Sequence, residues 1–376
     1  MINIAKPSIG ENEWKSLKEP IDSGWITQGE KVKEFENIFA KIHKVKHAVA
    51  VNSCTSALHL ILIALGIKKN DEVIVPSFTW ISTANVVLHV GAKVVFCDID
   101  KQTYNINYND LLSKINNKTK AIILVHLFGL CVDVKKLKNI IRKDIKIIED
   151  CACATGSSFN KFPAGSIGDA GAFSFHPRKI ITTGEGGMIT TNSDKIGSLT
   201  KQLRNHGASI SEEDRHKKKS SFLMPSFNLL GFNYRMTDLQ GAVGLVQLKK
   251  LDSLILQRSK IADIYFDKLK KISWLDLPAV PNSFQHSWQS YVVMINSKIE
   301  KYSRKKIMEK LNIKGISTRP GTHAVHMLSY YKNLYKYRPE DYPISMYCHN
   351  HSLAIPNHNQ LTLKDINYIV KSLAGI

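Results

Sequence analysis

Short apolar segments alternate with longer, partly polar segments from about residue 45 to residue 192. Seven of the apolar segments have the length and composition of buried strands. They are His47–Ser53, Glu72–Pro76, Lys93–Asp98, Ala121–Leu127, Ile145–Asp150, Ala170–Phe175 and Gly187–Thr191. Between Ser56 and Leu65 the apolar residues recur with helical spacing instead. Strands that alternate with helices predict an α/β fold, with a mainly parallel central sheet and helices on both faces.

The C-terminal third has a different pattern. A helix-start signal at Thr237-Asp238 opens an amphipathic run that continues to about residue 272. A strand and two further helices are predicted at Trp288–Ile295, Arg304–Leu311 and Leu363–Leu373. These segments predict a smaller α+β C-terminal domain. We therefore divide the chain into a large domain with an N-terminal arm, residues 1–240, and a smaller domain, residues 241–376.

The chain of 376 residues carries 52 Lys and Arg against 32 Asp and Glu, a net charge of +20. The lysines are spread throughout, and the densest run is only Lys217-Lys218-Lys219, within a charged and turn-rich stretch, residues 209–226, that we expect to be a mobile loop. No recognisable nucleic-acid motif accompanies the charge, so no nucleic-acid partner is predicted. A positive field would, however, attract a dianionic substrate such as a nucleotide-sugar.

The sequence predicts a cytoplasmic protein without a membrane span. No apolar run is long enough to cross a bilayer, and the segment Met1–Pro7 lacks the apolar core of a signal peptide. The cysteines show no CxxC pair and no usual zinc spacing, so we interpret them as reduced thiols and predict no metal site. They are Cys54, Cys97, Cys131, Cys151, Cys153 and Cys348.

One lysine stands in a setting that suggests covalent chemistry. Lys179 lies between a short apolar strand and the glycine-rich turn Gly184-Glu-Gly-Gly187. About thirty residues earlier, a buried strand ends in Asp150. A lysine that can form a Schiff base with an aldehyde, and a carboxylate that can pair with a pyridinium nitrogen, suit pyridoxal phosphate (PLP). An ordinary surface lysine before a hairpin is the alternative if Lys179 is considered alone.

Three further segments could complete such a site. Ser53 and the small polar residues after it join a strand to a helix, where free backbone amides can bind an anion or Ser53 can simply cap the helix. Ser174 lies at a strand end, five residues before Lys179, where its hydroxyl could reach the same phosphate. Trp80 follows another strand and could stack on an aromatic ring, although a tryptophan is more often part of a core.

Across nearly its whole length the chain resembles the DegT/StrS family of PLP-dependent nucleotide-sugar aminotransferases, which have fold type I. The resemblance depends on separated motifs that occur in the family's order. They are Gly24-Trp-Ile-Thr-Gln-Gly29, Asn52-Ser-Cys-Thr-Ser-Ala-Leu58, Pro76-Ser-Phe-Thr-Trp80, Glu149-Asp150, Ser174-Phe-His-Pro-Arg-Lys179, Gly184-Glu-Gly-Gly187, Arg204-Asn-His-Gly207 and Gly231-Phe-Asn-Tyr-Arg-Met236.

The resemblance implies a role for each matching residue. Lys179 binds the cofactor aldehyde and moves the proton, and Asp150 binds the ring nitrogen. The expected phosphate-binding residues are Cys54 through its amide, Thr55, Ser56 and Ser174, while Trp80 stacks on the ring. Asn233 or Arg235 is expected to reach the phosphate of a neighbouring subunit, which implies a homodimer with shared active sites.

One position departs from the family. Three residues after the ring-binding aspartate the family commonly has Gln or His against the cofactor, whereas this chain has Cys153, which cannot repeat their hydrogen bonds. Some relatives have His in place of the lysine and catalyse dehydration. Because this chain keeps Lys179, the resemblance favours transamination.

The resemblance also suggests a substrate. The Asn233-Tyr-Arg-Met236 motif is similar to that of members that aminate C-4 of a nucleotide-linked 4-keto-6-deoxy-sugar, with glutamate as the expected donor. Thr27, Glu185, Arg319, His323 and His326 are the predicted substrate contacts. Amination at C-3, a small keto-phosphate substrate, a dehydratase and a non-enzymatic regulator on the same fold are the alternatives.

Overall fold

The computed structural model describes residues 1–210, 224–299 and 302–376. Most of the stretch predicted to be a mobile loop therefore lies outside the described residues. The described helices are α1 (Glu11–Ser16), α2 (Lys18–Ser23), α3 (Glu30–His43), α4 (Cys54–Ala64), α5 (Ser82–His89), α6 (Tyr108–Lys114), α7 (Val134–Ile140), α8 (Asp194–Leu203), α9 (Asp238–Leu269), α10 (Arg304–Ile313), α11 (Ser329–Tyr335), α12 (Pro343–His351) and α13 (Leu363–Ala374). None of these described helices is long and apolar enough to cross a membrane.

A seven-stranded sheet forms the centre of the molecule and contains all seven predicted strands. They are β1 (His47–Val51), β2 (Glu72–Pro76), β3 (Lys93–Cys97), β4 (Thr119–Val125), β5 (Lys146–Asp150), β6 (Ala170–Ser174) and β7 (Gly187–Thr191). Their order across the sheet is β1-β7-β6-β5-β4-β2-β3. The pairs from β6 to β3 are parallel, and β7 runs antiparallel to both of its neighbours. The predicted, mainly parallel α/β sheet is thus confirmed.

Helices cover both faces of this sheet because successive strand residues point to opposite sides. In β4, Ala121 and Ile123 pack in the core that includes α4 and α5, whereas Ile122 and Leu124 pack in the core that includes α6 and α7. Helix α4 is apolar on nearly all sides and is buried almost throughout. Ser53 begins α4 by accepting a hydrogen bond from the Ser56 amide at 3.1 Å.

A smaller antiparallel sheet forms the core of the C-terminal part. Its strands are β8 (Leu275–Asp276), β9 (Tyr291–Ile295), β10 (Arg319–Pro320) and β11 (Ser352–Ile355), in the order β8-β9-β11-β10. Short strand pairs join Phe78–Thr79 to His323–Ala324, and Ser158–Phe159 to Phe162–Pro163 and Phe284–Gln285. Single 3₁₀ turns occur at Leu127–Gly129, Val325–Met327 and Pro339–Asp341. These elements agree with the predicted α+β character.

Helix α9 connects the two parts. Thr237 caps it, with Gln240 completing a capping box, so the helix begins where the sequence predicts. Its first half, including Leu248 and Ile255, packs with α3 and the central sheet, whereas its second half, including Tyr265, packs in the C-terminal core. The division at residues 240 and 241 thus falls in the first turn of a continuous helix that both cores share.

Candidate active site

A cavity of about 590 Å³ opens at the carboxyl ends of the parallel strands. This is the edge at which α/β sheets bind ligands, because each strand there passes into a loop or a helix N-terminus. The cavity wall also includes Ile4 and Ala5 from the N-terminal segment and residues of β10 and β11 from the smaller sheet. Ten predicted site residues line it: Cys54, Thr55, Trp80, Asp150, Cys153, Ser174, Lys179, Glu185, Arg319 and His323.

Asp150, the last residue of β5, places a buried carboxylate in the cavity. One oxygen accepts a hydrogen bond from the Thr83 hydroxyl at 2.8 Å, and the other accepts one from the Ala152 amide at 3.1 Å. Burial raises the pKa of Asp150 above its ordinary value, although these hydrogen bonds and the positive charge of Lys179 act in the opposite direction. A cationic group beside this carboxylate would favour its ionised form.

Lys179 enters the cavity from the chain that joins β6 to β7. This segment is held at both ends: Phe175 donates its amide to the Gly186 carbonyl at 2.9 Å, and Thr183 donates to the Phe175 carbonyl at 3.0 Å. The Lys179 amide closes a turn onto the His176 carbonyl at 2.8 Å. Its Nζ donates to Sγ of Cys153 at 3.3 Å, so the residue that departs from the family touches the lysine itself.

The N-terminus of α4 supplies the predicted phosphate region. Cys54 and Thr55 line the cavity at this helix end, where backbone amides favour an anion. Gly187 is required for the close approach of β7, because a Cβ atom there would lie 2.6 Å from the Cys54 nitrogen. Ser56 does not line the cavity, since its hydroxyl donates to Oδ1 of Asn52 at 2.6 Å.

Trp80 is not part of a core. It is 54% exposed and lines the cavity, with its ring centroid 5.6 Å from that of His323. The short pairing of Phe78–Thr79 with His323–Ala324 brings these two rings together, although they are far apart in sequence. The C-terminal part therefore completes one wall of the cavity.

Two arginines lie at the mouth of the cavity. Arg178 and Arg319 both line it and both are exposed. Burial and the positive charge of Arg319 lower the pKa of Arg178. Glu185 is the predicted substrate contact of opposite charge on the same wall. Arg178 is not among the predicted contacts, and its signal in the sequence is its position next to Lys179. Thr83 is also absent from the predicted contacts, and its hydrogen bond to Asp150 joins α5 to the end of β5.

His326, one of the predicted substrate contacts, does not line the cavity. Its side chain is fully buried, and Nδ1 lies 2.5 Å from the Ser77 hydroxyl. The imidazole also packs against Tyr342, and burial lowers its pKa to about 4. It lies three positions after His323, but the 3₁₀ turn Val325–Met327 directs it into the interior. His326 is therefore part of the interior.

Three other predicted residues lie outside the cavity of their own chain. Thr27 is exposed, and its carbonyl accepts the amide of Asp238 at 2.9 Å. Asn233 is exposed, and Arg235 donates to Oδ1 of Asn205 at 2.8 Å. Neither Asn233 nor Arg235 contributes to the cavity wall. Their role in a neighbouring subunit's site stays a prediction.

Glu149 points away from Asp150 and organises the loop behind the site. Its carboxylate accepts hydrogen bonds from Nε2 of His126 at 2.8 Å and from the amides of Gly165, Ile167 and Gly168 at 2.5 to 2.9 Å. Burial alone would raise the pKa of Glu149, but His126 and these amides hold it below its ordinary value.

The side chains of His126, Glu149 and Cys151 lie close enough together to suggest a metal site. However, Nδ1 of His126 accepts the Val132 amide, so Nε2 carries the proton and has no lone pair for a metal.

The comparisons with known proteins identify the family of this chain. Residues 7–374 match the profile of the DegT/DnrJ/EryC1/StrS aminotransferase family. The chain is 37% identical to GDP-perosamine synthase from Caulobacter vibrioides over 375 residues, which cover 99% of this chain and 97% of that protein.

The chain belongs to the DegT/DnrJ/EryC1/StrS aminotransferase family.

Solved structures extend the likeness to the fold. The Streptococcus pneumoniae protein Spr1654, solved in a PMP form, superimposes with a TM-score of 0.93 at 30% identity, covering all of this chain and 98% of that one. A histidine-to-asparagine mutant of GDP-4-keto-6-deoxymannose-3-dehydratase with bound GDP-perosamine gives a TM-score of 0.90 at 31% identity, covering 99% of this chain and 100% of that one. Fold type I is therefore confirmed.

As a DegT-family aminotransferase the protein uses PLP, and the cavity fits that cofactor. Asp150 is a buried carboxylate, and a cation beside it would offset the burial that raises its pKa. Lys179 presents a primary amine, the α4 terminus presents amides for a phosphate, and Trp80 presents an accessible ring face. The same four features would be expected around a pyridinium aldehyde that carries a phosphate.

Lys179→Ala is expected to abolish both turnover and the visible absorbance of lysine-bound PLP, because no other lysine lines the cavity in the described part of the chain. Circular dichroism should show an intact fold. Lys195→Ala, at an exposed position on α8, is the matched control and should retain both signals. A Lys179→Ala enzyme that transaminates at the wild-type rate would contradict the assignment.

Asp150→Asn is expected to lower the transamination rate roughly 100-fold or more, since an electrostatic contact at the reacting centre is commonly worth a few kcal/mol. The amide keeps the shape of the side chain but cannot carry the negative charge that stabilises a protonated ring nitrogen. Single-turnover kinetics measure the effect, and Asp252→Asn, on an exposed face of α9, is the control. Near-normal kinetics would mean that another group serves the nitrogen.

Proposed function

We propose that the protein transfers an amino group from glutamate to C-4 of a nucleotide-linked 4-keto-6-deoxy-hexose. The observation that carries the proposal is the arrangement of the cavity. Lys179 and the buried Asp150 both line it, and so do His323 and the exposed Arg178 and Arg319. The lysine and the aspartate suit amino transfer, and the two arginines suit an anionic group attached to the substrate.

Each residue has a definite task in this reaction. Bound PLP supplies an electron sink for the carbanion that forms when a substrate proton is removed. The free amine of Lys179 would be the base that takes this proton and returns it. Asp150 keeps the ring nitrogen protonated by its negative charge. Trp80 orients the ring, and the amides at the start of α4 hold the phosphate.

The two arginines, Arg178 and Arg319, support a nucleotide diphosphate as the anionic part of the substrate. Arginine binds phosphate oxygens with paired, charge-assisted hydrogen bonds. Among the described residues, no salt bridge is formed by Arg178 or Arg319, so both guanidinium groups are available to a ligand. The net charge of +20 would assist the approach of such an anion.

The relatives support the position of amination. GDP-perosamine synthase is 37% identical, and a structural relative holds GDP-perosamine. That relative is named for a GDP-linked 4-keto-6-deoxy sugar, although its name makes it a dehydratase. Lys179 favours transamination here, because an amine that bonds to the cofactor can be displaced by the amino donor.

A homodimer with shared sites is part of the proposal. The Asn233–Arg235 segment is fixed close to the start of α4, since the Asn52 amide donates to the Tyr234 carbonyl at 2.9 Å, yet it does not line its own cavity. The preceding residues Phe227 and Leu230 are 60% and 90% exposed. Apolar side chains beside an exposed polar segment suit an interface that would carry Asn233 and Arg235 toward a partner's phosphate.

A panel of keto substrates tests the substrate proposal. The pyridoxamine form of the enzyme should lose its absorbance with GDP- or TDP-linked 4-keto-6-deoxy-hexoses, and NMR of the product should place the new amine on C-4. A 3-keto nucleotide-sugar and a small keto-phosphate are the controls. Exclusive reaction with either control would overturn the proposed substrate while leaving the aminotransferase assignment intact.

Mixed subunits test the shared site. A Lys179→Ala subunit and a subunit with Asn233→Ala and Arg235→Ala should each be nearly inactive, whereas mixing them should restore part of the activity. Restoration is expected because one of the two sites in a mixed dimer then contains only wild-type groups. Absence of any restoration, together with a fully active isolated monomer, would contradict the shared site.

A further inference from the structure

The thiol of Cys153 lies against the amine of the catalytic lysine. Nζ of Lys179 donates to Sγ of Cys153 at 3.3 Å, and both residues line the cofactor cavity. Within the part of the chain that the structure describes, this is the one hydrogen bond of the Lys179 side chain. A lysine side chain has many rotamers of similar energy, so a contact at its tip reduces the volume that the amine explores.

The backbone on both sides of this contact is anchored to one short segment, residues 287–289. The Ser287 hydroxyl donates to the carbonyl of Cys153 at 3.2 Å, and the Gln289 side-chain amide donates to the carbonyl of Arg178 at 2.9 Å. The segment is itself held by Arg258, which is buried and donates to the carbonyls of Trp288 and Gln289 at 3.1 Å. The sulfur and the amine therefore share a common support.

Close packing restricts Cys153 further. Gly129 has a φ of 107°, and a Cβ atom there would lie 2.5 Å from the Ser287 hydroxyl and 3.2 Å from the Cys153 carbonyl. The Ser157 hydroxyl donates to the Gly129 carbonyl at 2.7 Å, which holds this backbone in place. Cys153 thus presents its sulfur from a rigid turn.

We propose that Cys153 is a positioning residue for Lys179, whose ε-amino group it holds whenever this amine is not bonded to the cofactor. The reaction needs such a state twice, since the amine is released when the donor binds and must return when the product leaves. A fixed acceptor keeps the free amine beside the reacting carbon. This inference depends on the lysine–PLP chemistry of the family and is independent of which sugar is the substrate.

The first test measures how Lys179 affects the thiol in the full-length, cofactor-free chain. An ammonium group beside a thiol favours the thiolate, which is the species that iodoacetamide alkylates. Alkylation of Cys153, followed by peptide mass spectrometry, should be roughly threefold to tenfold slower in Lys179→Met, the ratio expected when one hydrogen bond is lost. Lys179→Arg keeps a cation and should retain most of the reactivity. Equal rates in all three proteins would overturn the proposal.

The second test measures capture of the cofactor. When PLP is added to the cofactor-free chain, the lysine amine condenses with the aldehyde and releases water, and the visible absorbance reports the rate. Cys153→Ala should be roughly threefold to tenfold slower than wild type. Cys153→Ser should recover part of the rate, because a hydroxyl can also accept a hydrogen bond from the amine.

Controls separate positioning from a loss of packing. Cys131→Ala makes the same change at a buried cysteine that does not touch Lys179, and it should capture PLP at the wild-type rate. Capture by Cys153→Ala at the wild-type rate would overturn the proposal. So would equal slowing in Cys153→Ala and Cys153→Ser, since a merely structural role does not distinguish the two. Should Cys153→Ala fail to fold, the alkylation rates of the Lys179 variants still decide the question.

Discussion

Two neighbouring buried carboxylates at the end of β5 are the constraint on which the site depends. Glu149 and Asp150 are adjacent in a strand, so their side chains point to opposite faces of the sheet. The environment shifts their pKa values in opposite directions. Glu149 is satisfied by His126 and three backbone amides, and its pKa is lowered, whereas Asp150 has fewer partners and its pKa is raised. One carboxylate stabilises the fold, and the other remains available for a cationic ligand.

This division explains why a charged group can be kept at the floor of a cavity. A buried charge without partners costs several kcal/mol. The structure avoids most of that cost at Glu149 and retains part of it at Asp150, where a protonated ring nitrogen can offset it. The hydrogen bond from the Thr83 hydroxyl holds the Asp150 carboxylate in one orientation.

Several motifs that indicate the family have structural tasks away from the chemistry. Asp238 follows the Gly231–Met236 motif and lies at the start of α9. Its carboxylate accepts hydrogen bonds from the amides of Gly29, Lys31 and Val32, and it therefore stabilises the start of α3. Arg204 pairs with Glu36 in the interior, and the same Glu36 oxygen accepts the Ala50 amide at 2.8 Å. These contacts hold α3, β1 and α9 together, which places the start of α4 at the cavity.

The sequence by itself determined the strands of the central sheet, the long helix and the lysine–aspartate pair. It could do so because period-2 and helical patterns are local, and because parallel strands bring their carboxyl ends to one edge. Only the tertiary structure decided which neighbouring polar residues face the cavity. His323 and His326 are three residues apart, yet one lines the wall and the other is buried against Ser77. The contact of Cys153 with Lys179 and the link of Thr83 to Asp150 join residues 26 and 67 positions apart. Such contacts depend on how whole elements pack, and no local pattern in the chain encodes that packing.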